Sequence, residues 1–216
     1  MRKFALFASP GLLAAATVAW AQDFAAAPAE AWTIGPVIRG KNYSVGMPLQ
    51  PDRARRGWSF EFPHPNVGAG HVHYVTLETG PLAGKRRIVM RYRIDAARGA
   101  RFVPREHPEL PATVSLFFQR HGDSWSGKRH PHHRWWSPAG AMRELAPGEH
   151  EIVVSLRDGN WISVWGGPAS SHPEAFDAAL EETARVGLVF GSSAARGHGV
   201  YSTAPARFTL LSYRVE

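Results

Sequence analysis

The sequence contains no cysteine. That absence excludes disulfides, thiolate zinc sites, iron–sulfur clusters and cysteine nucleophiles together. The fold must therefore rest on a packed core, and 216 residues suffice for one domain with a sizeable one. Beyond the N-terminus no segment is long and apolar enough to cross a bilayer as a helix. No internal repeat of about 20–50 residues is visible, which argues against a propeller or a solenoid. Strand-like segments do not alternate with long helical patterns, so a doubly wound α/β sheet does not fit. The serine-hydrolase elbow Gly-x-Ser-x-Gly is missing, and so is any Asp-x-x-His pair.

The first residues point to export. Arg2 and Lys3 precede the apolar stretch FALFASPGLLAAATVAW, which is broken by Pro10 and Gly11. Ala19-Trp20-Ala21 places small residues at the two positions a signal peptidase reads. Residues 1–21 are thus expected to be a signal peptide, with the mature protein periplasmic or extracellular and without a transmembrane span. Losing Arg2 and Lys3 from 25 basic residues leaves 23 against 18 acidic, so the formal charge falls from +7 to +5. A mild positive excess suits anionic glycans or an anionic envelope surface, and nucleic acid is a poor partner for an exported chain. Residues 22–31 (QDFAAAPAEA) read as a flexible lead-in, and 32–216 as the folded domain.

Twenty-one glycines and 17 prolines favour turns over long helices. Between them, apolar residues recur at every second position, the period of a strand with one buried face. Trp58, Phe60 and Phe62 alternate with Ser59 and Glu61. Ile88, Met90, Tyr92 and Ile94 share one face, while Arg87, Arg91 and Arg93 share the other with Val89. Val114, Leu116 and Phe118 alternate with Thr113, Ser115 and Gln119, although Phe117 falls on the polar face. HVHYVTL, EIVVSL, WISVW, RVGLVFG and ARFTLLSYRV add further short strands. The expectation is an all-β fold, a jelly-roll β-sandwich of two antiparallel sheets. Its core should hold Phe60, Met90, Tyr92, Leu116, Phe118, Val154, Leu188, Phe190 and Phe208. One short helix is expected near residues 173–182, opened by a capping box from Ser171 to Glu174 with Pro173 in the first turn.

The segment from Gln119 to Ser137, QRHGDSWSGKRHPHHRWWS, stands apart. It holds Trp125, Trp135 and Trp136 and four of the 11 histidines, between two strand-like runs. A connecting loop has no need of so many rings, so it is the candidate site. Sugars stack their C–H faces on flat aromatic rings and pair their hydroxyls with planar polar groups. Gln119, Asp123, Trp125, Arg129, His133, Arg134 and Trp135 are the expected ligand-binding residues. In an extended Arg134-Trp135-Trp136 segment the two rings face opposite ways, so Trp135 is expected outside and Trp136 inside. Trp125, between two serines, is the first choice for an exposed ring. Trp58, Trp161 and Trp165 are assigned to the core or its rim. The run Lys128–Arg134 could attract phosphate, uronate or sulfate, its positive charges lowering the histidine pKa values.

Two motifs suggest enzymes. Gly122-Asp123-Ser124 after a strand resembles the nucleophile block of SGNH-type esterases, but it lies mid-chain in a β pattern and lacks the partner pair; a turn is the simpler reading. His71 and His73 with Glu78 resemble the first metal motif of the cupins. Alternation puts the two histidines on one face and Glu78 on the other, so no metal and no cofactor is expected.

WSFEFP with HYVTLETGPLAG, and the tail VGLVFGSSAARGHGVYSTAPARFTLLSYRV, resemble the opening and closing strands of carbohydrate-binding-module-type jelly rolls. FFQRHGDSWSG and RWW resemble a secreted bacterial β-sandwich family. The resemblance implies a non-catalytic module whose ligand is a glycan or polysaccharide. The alternatives are a cupin-like metal-dependent enzyme using His71, His73 and Glu78, and a structural envelope protein without a small ligand.

Overall fold

The computed structural model describes residues 22–24, 27–64 and 70–216. The expected signal peptide, residues 1–21, lies outside the described residues.

Eight strands build the sandwich. In chain order they are Trp58–Glu61, Tyr74–Glu78, Arg87–Ala96, Thr113–Arg120, Arg134–Trp136, Gly148–Ser155, Thr183–Gly191 and Ala206–Val215. Counted from first to eighth, one sheet runs 6-3-8-1 and the other 5-4-7-2. That is the double Greek-key order of a jelly roll. Every pairing in both sheets is antiparallel. Trp32–Gly35 extends the second sheet beside Tyr74–Glu78, and Ile162–Ser163 extends its other edge beside Arg134–Trp136.

Period-two patterning does what it should. Phe60, Met90, Tyr92, Leu116, Phe118, Val154, Leu188, Phe190 and Phe208 are all buried between the sheets. Their rings interlock: Phe208 stacks on Phe60 at 5.3 Å and on Tyr92 at 5.0 Å, and meets Phe190 edge-on at 5.7 Å. Alternation is interrupted once in the last strand, where the register shifts between Leu210 and Ser212. The extra residue turns Tyr213 and Val215 inward, although their parity differs from that of Phe208 and Leu210. Gly57 makes room beside this irregularity. It adopts φ 67°, and a Cβ there would stand 2.1 Å from the Leu210 carbonyl oxygen.

Two local expectations change. Part of the lead-in is docked: Gln22–Asp23 pairs with Arg214–Val215, and Phe24 is buried 6.2 Å from the Tyr213 ring. The helix is Pro173–Glu181, with Pro173 at its first position, but its N-cap is His172 and no side chain caps it. Ser171 instead ends a 3₁₀ turn, Ala169–Ser171, so the capping box does not form. The helix lays Phe176 against Phe118 and Trp135 and closes that end of the core.

Phe208→Ala should destabilise the protein by about 3–5 kcal/mol, because four neighbouring rings would face the void. Urea unfolding followed by circular dichroism measures this; a loss below about 1 kcal/mol would mean that the sheets do not meet around this ring.

Candidate functional site

The outer face of the second sheet should be wet, yet much of it is covered. Tyr74, Phe117 and Val189 point away from the inter-sheet core and are buried in a second apolar cluster. This explains Phe117, the apolar residue on an otherwise polar face. The cover is the loop after Thr113–Arg120, whose Trp125 packs on Tyr74 at 5.0 Å and near Phe117 at 6.5 Å. Trp136 completes the cluster and donates its indole N–H to the Tyr74 hydroxyl at 3.3 Å.

One carboxylate fixes the loop. Asp123 Oδ2 accepts from Gln119 Nε2 at 2.7 Å and from Arg134 Nε at 3.0 Å. Its Oδ1 accepts the Trp125 backbone N–H at 3.0 Å and faces Arg134 Nη2 at 3.5 Å. The Asp123 and Arg134 side chains are only 1% and 6% exposed. Burial alone would lower the Arg134 pKa, but Tyr74 and the Asp123 carboxylate outweigh it and hold the value above that of an ordinary arginine. The guanidinium carbon lies 4.6 Å over the Trp125 ring, a cation–π contact sheltered from water. Trp125 takes φ 65°, an uncommon value for a bulky residue, and in that conformation its backbone N–H donates to Asp123 Oδ1. Gly122-Asp123-Ser124 is therefore a turn, with Gly122 at φ 79° and the Asp123 N–H bonded to the Arg120 carbonyl.

Opposite the loop stands a small hairpin, Val37–Ile38 paired with Lys41–Asn42. Between hairpin and loop lies a cleft of about 800 Å³, lined by Arg39, Lys41, Tyr43, Trp125, Arg129 and Arg185 among others. A second hollow of about 390 Å³, floored by Thr33 and Thr76, adjoins it across Trp125, Val37 and Arg185. Tyr43 is 41% exposed, and the Lys41 ammonium sits 5.2 Å from its ring.

The seven residues expected to bind a ligand divide accordingly. Asp123, Trp125 and Arg129 line the cleft. Gln119 and Arg134 are buried and act on it through Asp123. His133 meets His130 as a tilted ring pair, centroids 4.5 Å apart, and does not line the cleft. Its pKa is lowered by burial first, then by His130 and Arg120, so the run of basic neighbours is not the main cause. Trp135 corrects an expectation: it is fully buried, packs on Phe176, and donates to the His132 carbonyl at 2.8 Å. The alternation of the two rings holds with the sides exchanged, because the edge facing the helix is the core edge. Half-buried Trp136 takes the outer face. Trp165 is likewise not core. It is 63% exposed on a turn before Gly166 and Gly167, and that glycine pair was the available signal. The hairpin's Arg39, Lys41 and Tyr43 had no signal at all, since sequence does not reveal which distant segment faces the loop.

His71 and His73 do come together, with ring centroids 4.6 Å apart. Glu78 does not join them; it is exposed and pairs with Arg185 at 3.2 Å. Among the described residues no cluster of three or more metal-binding side chains forms. His73 Nδ1 bonds the Gly197 carbonyl at 2.6 Å, and Arg105 Nη1 reaches His71 Nε2 at 3.3 Å. Burial, then His71, holds the His73 pKa down at about 4.

Two outcomes follow. Asp123→Ala should cost about 3–5 kcal/mol, because it strands the buried Arg134 charge, and Arg134→Met added to it should recover part of that loss. Urea unfolding of the single and double variants tests this, and equal losses would mean that the pair does not act as a unit. The His73 imidazole is neutral in the folded state down to about pH 4 but takes a proton near pH 6.5 once unfolded. Its contribution is therefore complete above pH 6.5 and is lost as pH falls towards 4, about 3 kcal/mol in all. Unfolding free energy measured across that window should fall less steeply in His73→Gln, and parallel curves would contradict the assignment.

No protein-family model matches the sequence, and no curated protein matches it. Among solved structures, a similarity is found to ZmpB of Clostridium perfringens, seen as its M60 catalytic domain with the domains CBM51-1 and CBM51-2. Identity is 10% and the TM-score 0.29; the match covers 91% of this chain and 15% of that one. A TM-score this low transfers neither ligand nor activity.

Proposed function

We propose that this is an exported, non-catalytic β-sandwich protein that binds a glycan in the cleft between the 37–42 hairpin and the loop after Thr113–Arg120. The observation that carries the reading is Trp125. Its half-buried ring lines the cleft and is held from behind by Arg134, Tyr74 and Phe117. A ring fixed in advance loses little conformational freedom when a sugar stacks on it. Tyr43 offers a second ring across the cleft, with planar and charged donors around both. Export rests on the reading of residues 1–21. No helix among the described residues is long and apolar enough to cross a membrane.

A glycan screen of the mature protein, followed by calorimetry, tests the reading. Trp125→Ala should weaken binding about thirtyfold, equivalent to ~2 kcal/mol for a lost aromatic anchor. It should also lower the melting temperature, since the ring covers Tyr74 and Phe117. Tyr43→Ala removes an exposed ring, so it should weaken binding without moving the melt. Glycan binding unchanged in both variants would put the site elsewhere.

A further inference from the structure

We infer that the glycan taken by this cleft is acidic, carrying carboxylate, sulfate or phosphate groups that bridge the hairpin and the loop. The inference rests on the glycan reading above and narrows it to a class.

Charge balance is the first argument. Arg39 and Lys41 rise from the hairpin, Arg129 from the loop and Arg185 from the sheet between them. The acids beside them are already engaged. Asp123 is neutralised from beneath by Arg134, and Glu78 pairs with Arg185. Among the described residues no carboxylate lies within 4 Å of Arg39, Lys41 or Arg129. On the outer face of the other sheet most arginines are matched: Arg53, Arg91, Arg93 and Arg207 pair with Glu30, Glu149, Asp95 and Glu61, and the turn residues Arg55 and Arg56 have no carboxylate within 4 Å among the described residues. Unpaired cations converging on one cleft repel each other until an anion enters, and a neutral sugar would leave that repulsion in place.

Backbone geometry is the second argument. Arg39 and Gly40 form the tip of the hairpin with φ 52° and 78°. A two-residue tip with both φ values positive ordinarily holds Asn, Asp or Gly, and a long cationic side chain there is disfavoured by the backbone. Of the three non-glycine residues with positive φ among the described residues, Arg39 and Trp125 face each other across this cleft. Both uncommon conformations thus present a binding group to the same space. Guanidinium forks match the paired oxygens of carboxylate, sulfate and phosphate, while Trp125 and Tyr43 take the sugar rings.

The test is calorimetry on the mature protein with three oligosaccharide sets of matched length: polygalacturonate, a sulfated dextran and a neutral dextran. Binding of an acidic set at about 0.05 M salt should weaken markedly at about 0.5 M, as screening predicts. Arg39→Ala with Arg129→Ala should weaken it by about tenfold per lost contact. Arg55→Ala with Arg56→Ala, in the turn beside the outer face of the other sheet, should change nothing. Which acidic set binds distinguishes uronate from sulfate. If a neutral glycan binds through Trp125 and the Arg39 and Arg129 variants are silent, the glycan reading stands and the acidic class is wrong. If acidic polymers bind equally well without Arg39 and Arg129, the charge sits on another face and the inference fails. Binding of no glycan in any set would overturn both.

Discussion

A single buried carboxylate organises the loop end of the second sheet. The Asp123 side chain is 1% exposed and gathers Gln119, Arg134 and the backbone N–H of Trp125 around its two oxygens. Such a charge is tolerated inside a protein only when it is paired and its lone pairs are filled. Meeting that condition draws together a strand end, a turn and the following strand. Trp125 there adopts a left-handed conformation with its ring over Tyr74 and Phe117. The loop is therefore a fixed wall, and the cleft beside it exists in advance of any ligand.

The same arrangement solves a packing problem. A sheet in a sandwich has one face for the core and one for water. Here the second sheet carries Phe117, Val189 and Tyr74 on its outer face, and they need a cover. Trp125 and Trp136 supply it, one from the loop and one from the neighbouring strand. Trp125 thus serves two surfaces at once: the contacts that bury the outer cluster also position the ring that lines the cleft. Rigidity of that ring is inherited from the sheet beneath it.

Histidines also come together in pairs. His71 with His73, His130 with His133, and His132 with His172 each meet as tilted rings, with centroids 4.6, 4.5 and 4.4 Å apart. Desolvation leads the causes that lower the pKa of His71, His73, His132 and His133.

Strand positions, the sandwich and its core were legible in the sequence because alternation depends only on neighbours two residues apart. Phe60, Tyr92, Phe190 and Phe208 could be placed inside on that ground alone. Sequence also marked the 119–137 loop, since tryptophans among serines and glycines have no local reason to be there. What it could not decide was which side each ring would take. Trp135 went inward because helix Pro173–Glu181 lies against that edge, and Trp136 went outward towards Tyr74, a contact across 62 positions. Nor could it pair Asp123 with Arg134 or bring Arg39, Lys41 and Tyr43 opposite Trp125. Local periodicity sets which residues are buried within an element; the burial of a loop, the partner of a charge and the far wall of a cleft depend on segments brought together only by the folded sheets.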